Sequence, residues 1–266
     1  MGRTPESKAG FTLIEMSIVL AVIALTVGTI LTGQKMLRRA QVNSVIADMK
    51  MYKSAIGQFK DKYGDLPGDM ANATSYWGAA DADPTTCQTT VGTGTQTCNG
   101  DGNGHIGEFP NVNNFEEWRA WQQLANAGML EGNYSGVAGP NTYRQAVPGT
   151  NVPLSKLGTN IGHTLVYWGS YTDGLDWTPP PFRYCHMIMF GTPHGNLFET
   201  YATALTPSEA FSIDSKFDDG LPATGKIQTV SHSVLPDCTT STSSLTATYN
   251  LLFASTACGL MFLMPF

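Results

Sequence analysis

The chain has 266 residues and a formal net charge of −6. Residues 1–70 carry nine basic and six acidic side chains (+3), whereas residues 71–266 carry six and fifteen (−9). The length fits one globular domain in addition to an N-terminal segment. The acidic second part lacks the concentrated lysine and arginine that nucleic-acid binding requires, so we expect no direct contact with nucleic acid.

The chain begins with a polar stretch, residues 1–10, that gives way abruptly to an apolar run over residues 11–33. A helix of about 20 apolar residues is long enough to cross a bilayer. The only charge in this run is Glu15, and a carboxylate inside a membrane segment costs about 3 kcal/mol or more to insert. We therefore predict a transmembrane half-helix in which Glu15 has a positively charged partner.

The residues around this junction, KAG followed by FTLIE at positions 8–15, resemble the N-terminal signal of type IV pilins and type II secretion pseudopilins. The resemblance implies that residues 1–10 are a leader that prepilin peptidase removes by cutting between Gly10 and Phe11. It also implies methylation of the new N-terminus of Phe11 and a role for Glu15 in filament assembly, with the neighbouring subunit's Phe11 amine as its partner. The resemblance covers about residues 1–70.

This resemblance implies a structural subunit of a type IV pilus or of a type II secretion pseudopilus, and not an enzyme. Its partners would be the N-terminal helices of other subunits, prepilin peptidase, the inner-membrane assembly platform and membrane lipid. The precursor would cross the bacterial inner membrane once, with its globular domain in the periplasm, and would enter an extracellular filament after assembly. The large domain and the lack of proline in residues 11–33 favour a minor subunit.

Other interpretations of the N-terminal segment remain open. A conventional secretory signal has a shorter apolar core and a small-residue cleavage site after it, whereas this run is followed by the basic residues Lys35, Arg38 and Arg39. A plain single-pass anchor explains the length but not Glu15. The chain could also be a membrane-anchored binding or adhesin domain with an uncleaved helix. The sequence has no nucleophile, zinc or phosphate-binding motif that would indicate an exported hydrolase.

A second, amphipathic half of the same helix is predicted over residues 34–64, because apolar residues recur there at spacings of three and four. Gly64 and Pro67 supply the stop signal. One helix of about 80 Å would thus run from Phe11 to about residue 63 and lay its stripe on the following domain; a coiled coil is the alternative. The stripe consists of Val42, Val45, Met49, Tyr52, Ile56, Phe59 and Tyr63.

The globular domain is predicted to occupy residues 65–266. Its first part, residues 65–113, is rich in glycine, asparagine, aspartate and threonine and is expected to be a long ordered loop. A second helix is predicted over residues 115–129, because Asn114 can cap it and Glu117 can complete a capping box.

A third helix is predicted directly after Thr206. Pro207 suits the first helical turn, and Glu209 stands three residues after the capping threonine. The helix is expected to end near residues 218–220. Residues 131–160 have a loop-like composition, and residues 196–205 are ambiguous.

The remaining segments have the β-branched and aromatic composition of strands. Because they follow one another with short breaks, we predict an antiparallel sheet and an α+β fold: a long N-terminal helix, half membrane segment and half amphipathic, packed on a small sheet domain with long loops, as in pilins. The predicted strands are residues 164–171, 183–190, 226–234 and 258–266.

All five cysteines lie beyond residue 86, on the side of the apolar segment that should be exported to a compartment that permits disulfides. We pair Cys87 with Cys98 and Cys238 with Cys258, since each pair brackets a loop, although sequence alone does not determine the connectivity. The second pair resembles the C-terminal disulfide that closes a surface loop in pilins. Cys185 is left over and is expected to be a small buried residue in a strand.

The domain is expected to need no cofactor, with calcium as the one candidate. Side-chain oxygens at Asn99, Asp101 and Asn103, with glycines between them, resemble an EF-hand-type loop. The loop departs from that pattern because its twelfth position is Pro110; Glu108, Glu116 or Glu117 would have to supply the missing carboxylate. The alternative is a glycine and asparagine turn without metal. Asp218 and Asp219 form a second, weaker candidate.

Overall fold

The structure is a computed structural model that describes residues 10–85, 87–109, 115–169, 177, 185–196, 198–231 and 233–264. The chain divides into two compact units, Met1–Gln41 and Val42–Phe266. The elements in chain order are α1 (Leu13–Tyr63), α2 (Thr74–Trp77), β1 (Glu108–Phe109), α3 (Glu116–Asn126), β2 (Gly162–Trp168), β3 (Cys185–Gly191), a 3₁₀ turn (His194–Asn196), α4 (Pro207–Phe217), β4 (Ile227–Gln228) and β5 (Leu260–Met264).

The first unit consists of the N-terminal part of α1, which begins at Leu13 and not at Phe11. Residues 13–33 of this helix carry no charge except that of Glu15, and their large hydrophobic side chains are exposed. By length and composition alone, α1 qualifies as a membrane-crossing helix, and it is the one such helix within the described ranges. A membrane anchor and a signal sequence both have these properties, so the predicted membrane segment is supported at this coarser level.

The second unit contains the amphipathic half of α1, and the predicted stripe is buried there. Val42, Val45, Met49, Tyr52, Ile56 and Phe59 are all buried, together with Ile46 and Ala55, while Tyr63 is only half-buried. The helix ends as predicted at Gly64, which has φ +85° and donates its N–H to the carbonyl of Lys60 at 2.8 Å.

The sheet has the strand order β1-β2-β3-β5-β4. Four strands are antiparallel, with Leu165 of β2 opposite Ile188 of β3, and Ile188 in turn opposite Phe262 of β5. The α+β class with an antiparallel sheet is thus confirmed. The two-residue strand β1 is an exception, because it pairs with β2 in parallel through Glu108 and Phe109.

The core of the second unit lies between the sheet, α3 and residues 42–63 of α1. Tyr52 of α1 packs edge-to-face on Trp121 of α3, with ring centroids 5.0 Å apart, and its hydroxyl lies 3.4 Å from Nδ1 of His163 in β2. Trp118, Trp121 and Leu124 of α3 are fully buried, so all three elements contribute large side chains to one core.

The predicted helices are present, but one cap differs. Thr206 accepts from the backbone N–H of Glu209, whose side chain accepts from Thr206 in return, so the capping box of α4 is confirmed. The helix α3 is shorter than predicted and is preceded by Phe115, which makes no side-chain cap. The predicted cap at Asn114 concerns a residue outside the described ranges, so its capping box with Glu117 stays a prediction; the Glu117 side chain is buried.

Several predicted boundaries need correction. The segment 65–113 contains the short helix α2 and the strand β1 within its loops, and β4 covers only two of the nine residues predicted from 226 to 234. The predicted strand ends at residues 170–171, 183–184 and 265–266 lie outside the described ranges. These short elements depend on contacts with distant parts of the chain, which local sequence patterns do not record.

Both disulfides form with the predicted pairing. The Cα atoms are 6.0 Å apart in Cys87–Cys98 and 5.0 Å apart in Cys238–Cys258. Cys185 is a free thiol at the first position of β3. It is half-buried rather than fully buried, and burial raises the pKa of its thiol to about 11, so the thiolate is disfavoured.

Candidate functional site

The N-terminal end of α1 is organised by Thr12 and Glu15. The backbone N–H and the hydroxyl of Thr12 both donate to Oε2 of Glu15, at 2.8 and 2.7 Å, and the backbone N–H of Glu15 lies 3.3 Å from Oγ1 of Thr12. This reciprocal arrangement is a capping box, which satisfies N–H groups that have no partner within the helix. The T-x-x-E spacing of Thr12 and Glu15 could have predicted this cap, whereas we predicted only a charged partner for Glu15.

The capping box leaves half of the Glu15 carboxylate available. Its hydrogen bonds all go to Oε2, and Oε1 accepts none within the described part of the chain. Gly10 and Phe11, the predicted cleavage residues, precede the helix and are exposed. A cut between them would release an amine four residues before Glu15, at the same end of α1.

The polar side chains inside the apolar run are satisfied within the helix. The hydroxyl of Ser17 donates to the carbonyl of Ile14 at 2.8 Å, that of Thr26 to the carbonyl of Val22 at 3.0 Å, and that of Thr32 to the carbonyl of Gly28 at 2.9 Å. A polar group that has no hydrogen-bond partner in the hydrocarbon core of a membrane raises the free energy by several kcal/mol. Residues 13–33 are therefore compatible with a hydrocarbon environment, with the charge of Glu15 as the exception.

A second candidate site is the acidic group formed by Asp69, Asp101 and Glu116, whose carboxylate oxygens lie within 4.8 Å of one another. Asp101 was predicted as a metal ligand, and Glu116 was one of three candidates for the missing carboxylate. Asp69 was missed, because it lies 32 residues before Asp101 and no local motif connects them.

The side-chain oxygens of the two predicted asparagine ligands accept from backbone N–H groups. Oδ1 of Asn99 accepts from the N–H of Thr74 at 2.9 Å, and Oδ1 of Asn103 accepts from the N–H of His105 at 2.7 Å. Both asparagine oxygens thus have donors within the loop. The side chain of Glu108 and all of Pro110 lie outside what the structure describes.

The carboxylates of the acidic group are bound by backbone amides. Asp69 accepts from the N–H groups of Asn103 and Gly104 at 3.0 and 2.9 Å, and Glu116 accepts from those of Asp101 and Gly107 at 2.9 and 3.1 Å. Burial raises the pKa of Glu116 to about 8 and also raises the pKa of Asp69. The loop therefore wraps around its own carboxylates, whereas an EF-hand turns oxygens toward a cation. The calcium site stays a prediction.

A third candidate site, the second acidic group, combines the predicted Asp218 and Asp219 with Asp214, which we did not predict. Oδ2 of Asp218 accepts from the backbone N–H of Ile227 at 2.8 Å and also from that of Lys226. Oδ2 of Asp214 accepts from the hydroxyl of Tyr249 at 2.8 Å. These bonds connect the end of α4 to β4 and to the loop closed by the second disulfide, so they have a structural explanation without metal.

The buried ionisable groups elsewhere in the domain also pack as structural groups. Nε and Nη2 of Arg144 donate to the two carboxylate oxygens of Glu199 at 2.7 and 2.9 Å. Burial lowers the pKa of His163 to about 3 and that of His186 to about 4, so both imidazoles are neutral near pH 7. These contacts stabilise the domain interior.

Comparison with protein-family models, with curated proteins and with solved structures finds no match to this chain. A functional inference therefore depends on the chain's own residues. The most distinctive arrangement among them is the Gly10–Phe11 junction, the Glu15 carboxylate and the exposed apolar helix that follows.

Proposed function

We propose that this chain is a structural subunit, of the minor class, of a type IV pilus or type II secretion pseudopilus. One observation carries the proposal: a helix with exposed apolar side chains begins directly after the KAG–FTLIE junction and carries a single carboxylate, that of Glu15, before residue 48. The continuation of this helix, residues 42–63, packs into an acidic α+β domain. A membrane-held subunit that assembles through its helix accounts for all of these features.

In the proposed mechanism, the leader and the apolar helix hold the precursor in the inner membrane. Cleavage after Gly10 releases the amine of Phe11, and Oε1 of Glu15 in one copy pairs with that amine in its neighbour as the apolar helices bundle. In a low-dielectric bundle a well-aligned ion pair can offset the cost of inserting the carboxylate, and its geometry would determine the axial register. The chain supplies binding groups to this process and performs no chemistry of its own.

Glu15 thus has two separable roles, a local cap and an intermolecular charge partner. Glutamine at the same position can fill the cap, because an amide oxygen accepts the same hydrogen bonds as a carboxylate oxygen in a capping box. Glutamine has no charge, however, so it cannot form the ion pair. This difference allows the two roles to be tested independently.

The test is to express Glu15→Ala and Glu15→Gln in the source cell and to measure both membrane retention and the amount of subunit in sheared filaments. We expect both variants to be processed and membrane-held but absent from filaments, because both lack the charge. Ser17→Ala, which removes a hydroxyl satisfied within the helix, should assemble like the wild type. Normal assembly of Glu15→Gln would show that the cap alone explains Glu15, and the ion-pair mechanism would be wrong.

A further inference from the structure

The charges of the domain are separated along the chain. Within residues 42–63, α1 carries four lysines and two aspartates, whereas residues 64–118 carry eight aspartates and glutamates and no lysine or arginine. Surfaces of opposite sign attract each other when two copies of a chain approach. A specific contact also needs matching shape, and one surface on each of these segments supplies it.

The surface on α1 is a notch formed by Lys53, Gly57 and Lys60, which we call the lysine notch. The three residues stand at positions i, i+4 and i+7 and share one side of the helix. Apart from its own helical turn, no atom lies within 4 Å of the position that a Cβ of Gly57 would occupy, so the helix backbone is uncovered there. Both lysines are exposed, and within the described part of the chain neither forms an ion pair. Asp61 is the one exposed acidic side chain of residues 42–63.

The surface on the acidic segment is a loop in which an exposed valine stands beside a carboxylate. The hydroxyl of Thr90 donates to Oδ2 of Asp81 at 2.6 Å, and the next residue, Val91, is 59% exposed. The hydrogen bond from Thr90 lowers the pKa of Asp81, so this exposed carboxylate is ionised near pH 7. Arg119 approaches the loop from the domain interior, but it is buried and its Nη2 donates to the carbonyl of Thr90. We call Asp81, Thr90 and Val91 the valine loop.

We propose that the valine loop of one copy binds the lysine notch of a second copy. Val91 covers the bare backbone at Gly57, and the carboxylate of Asp81 pairs with a flanking lysine. Because the two surfaces differ, the contact is heterologous, and each copy in a pair retains a free notch or a free loop for a further copy, as a filament requires. The inference rests on the proposed function, since it adds a contact between domains to the contact between apolar helices.

The test mixes equal amounts of the full-length chain labelled with the light and with the heavy isotope of nitrogen in phosphatidylcholine vesicles. A photo-cross-linking benzoylphenylalanine replaces Thr89, an exposed residue close to Val91 along the chain. After irradiation and digestion, mass spectrometry identifies cross-linked peptides that combine both labels and therefore come from two copies. We expect these mixed peptides to join position 89 to residues 50–63. Raising the salt concentration should lower their yield, because salt screens exposed charges.

Filling the notch separates the contact from the stability of the helix. Gly57→Leu places a side chain over the bare backbone, and leucine has a higher helix propensity than glycine. The variant should therefore keep or raise the thermal stability of the wild type, yet reduce the yield of mixed peptides about fivefold or more, because Val91 meets an occupied site. Gln58→Leu, at an exposed position outside the notch, is the matched control and should retain the yield.

Charge reversal tests the ion pair. K53E/K60E and D81K should each reduce the yield about threefold or more, and K53E/K60E/D81K, which exchanges the signs, should recover part of it. E131K reverses an exposed carboxylate outside the valine loop and should retain the yield; circular dichroism checks that helix content is unchanged. An absence of mixed peptides in the wild type, cross-links to other residues, or equal losses in the controls would overturn the proposal. The vesicles contain no filaments and Glu15 is unchanged, so this result and that of the Glu15 test are independent.

Discussion

Asp214 is one of several buried carboxyls, and its ionisation should make the stability of the domain depend on pH. Its side chain is inaccessible to solvent, and burial raises its pKa to about 7, although the hydrogen bond from Tyr249 opposes that rise. The folded chain therefore keeps a proton that the unfolded chain has already released above about pH 4. The stabilisation that this proton gives is lost as the pH rises through 7.

Replacing Asp214 with asparagine should remove this dependence. The asparagine amide can donate to the Tyr249 oxygen, so the variant retains a hydrogen bond but cannot ionise. Between pH 5 and pH 8 we expect the wild type to lose about 2 kcal/mol relative to Asp214→Asn. Thermal unfolding of the full-length chain in neutral detergent, followed by circular dichroism at several pH values, measures this difference.

The comparison with Asp214→Asn separates Asp214 from other titrating groups. His163 and His186 have lowered pKa values in the folded chain, so they reduce stability as the pH falls below 6.5. This contribution is the same in the wild type and in Asp214→Asn. Tyr249→Phe removes a hydrogen-bond donor that favours the ionised form of Asp214, so the pKa of Asp214 should rise further. The decrease in stability with pH should therefore continue to a higher pH in this variant than in the wild type. Parallel curves for wild type and Asp214→Asn would show that Asp214 ionises normally.

At the residue scale, the sequence predicts the hydrogen-bond partners of a side chain when those partners are close neighbours along the chain. The Thr206–Glu209 capping box is an example, and Thr12–Glu15 could have been predicted by the same rule. Asp69 could not, because only folding brings it next to Asp101, which lies 32 residues later. Asp214 could have been predicted, because it lies four residues before Asp218 near the end of the predicted third helix. Asn99 and Asn103 were predicted as cation ligands. Their local spacing does not show whether the side-chain oxygen will accept from a backbone N–H, as it does here, or bind a cation.

The amphipathic half of α1 is the element whose packing is most open to direct test. Phe59 is completely buried and contacts the rings of Tyr63 and Trp77, with centroids 4.6 and 6.1 Å away. Phe59→Ala should therefore reduce the free energy of unfolding of the second unit by about 3–5 kcal/mol. Urea denaturation of the full-length chain in neutral detergent, monitored by tryptophan fluorescence, measures the loss.

Met51 provides the matched control on the same helix. Its side chain is 46% exposed and is not part of the buried stripe. Met51→Ala should change the free energy of unfolding by about 0.5 kcal/mol or less. Equal destabilisation by both substitutions would mean that the stripe does not face the core as described.

At the element scale, long periodic segments were predictable and short ones were not. The periodicity of residues 42–59 and the β-rich composition of β2 and β3 identify elements that bury several side chains each. The strand β1 has only two residues and exists because β2 presents a free edge, where the N–H of Tyr167 donates to the carbonyl of Ile106 at 2.7 Å. This pairing depends on the neighbouring strand β2, so residues 108–109 have no sequence pattern that could have predicted β1.

At the scale of the whole molecule, two features indicate opposite locations for the domain. Lysine and arginine are more numerous after the apolar segment (Lys35, Arg38, Arg39) than before it (Arg3, Lys8), and the positive-inside rule would then leave the domain in the cytoplasm. The two disulfides of the second unit instead require an oxidising compartment. We give the disulfides more weight, because there are two of them within the domain itself, whereas the basic residues differ only as three against two.

Intact mass measurement without reduction, together with N-terminal sequencing of the chain from its native membrane, tests both the processing and the location. We expect a chain that begins at Phe11, carries one added methyl group and lacks the thiol hydrogens of both disulfides. Gly10→Leu, which places a bulky side chain at the junction, should leave the leader in place. A wild-type chain that still begins at Met1 would favour the anchored binding or adhesin domain, and the Glu15 mechanism would be wrong.

The same mass measurement tests the location of the domain. Four free thiols at Cys87, Cys98, Cys238 and Cys258 would contradict an exported domain. A compartment that permits disulfides would have oxidised cysteines that the fold holds this close together.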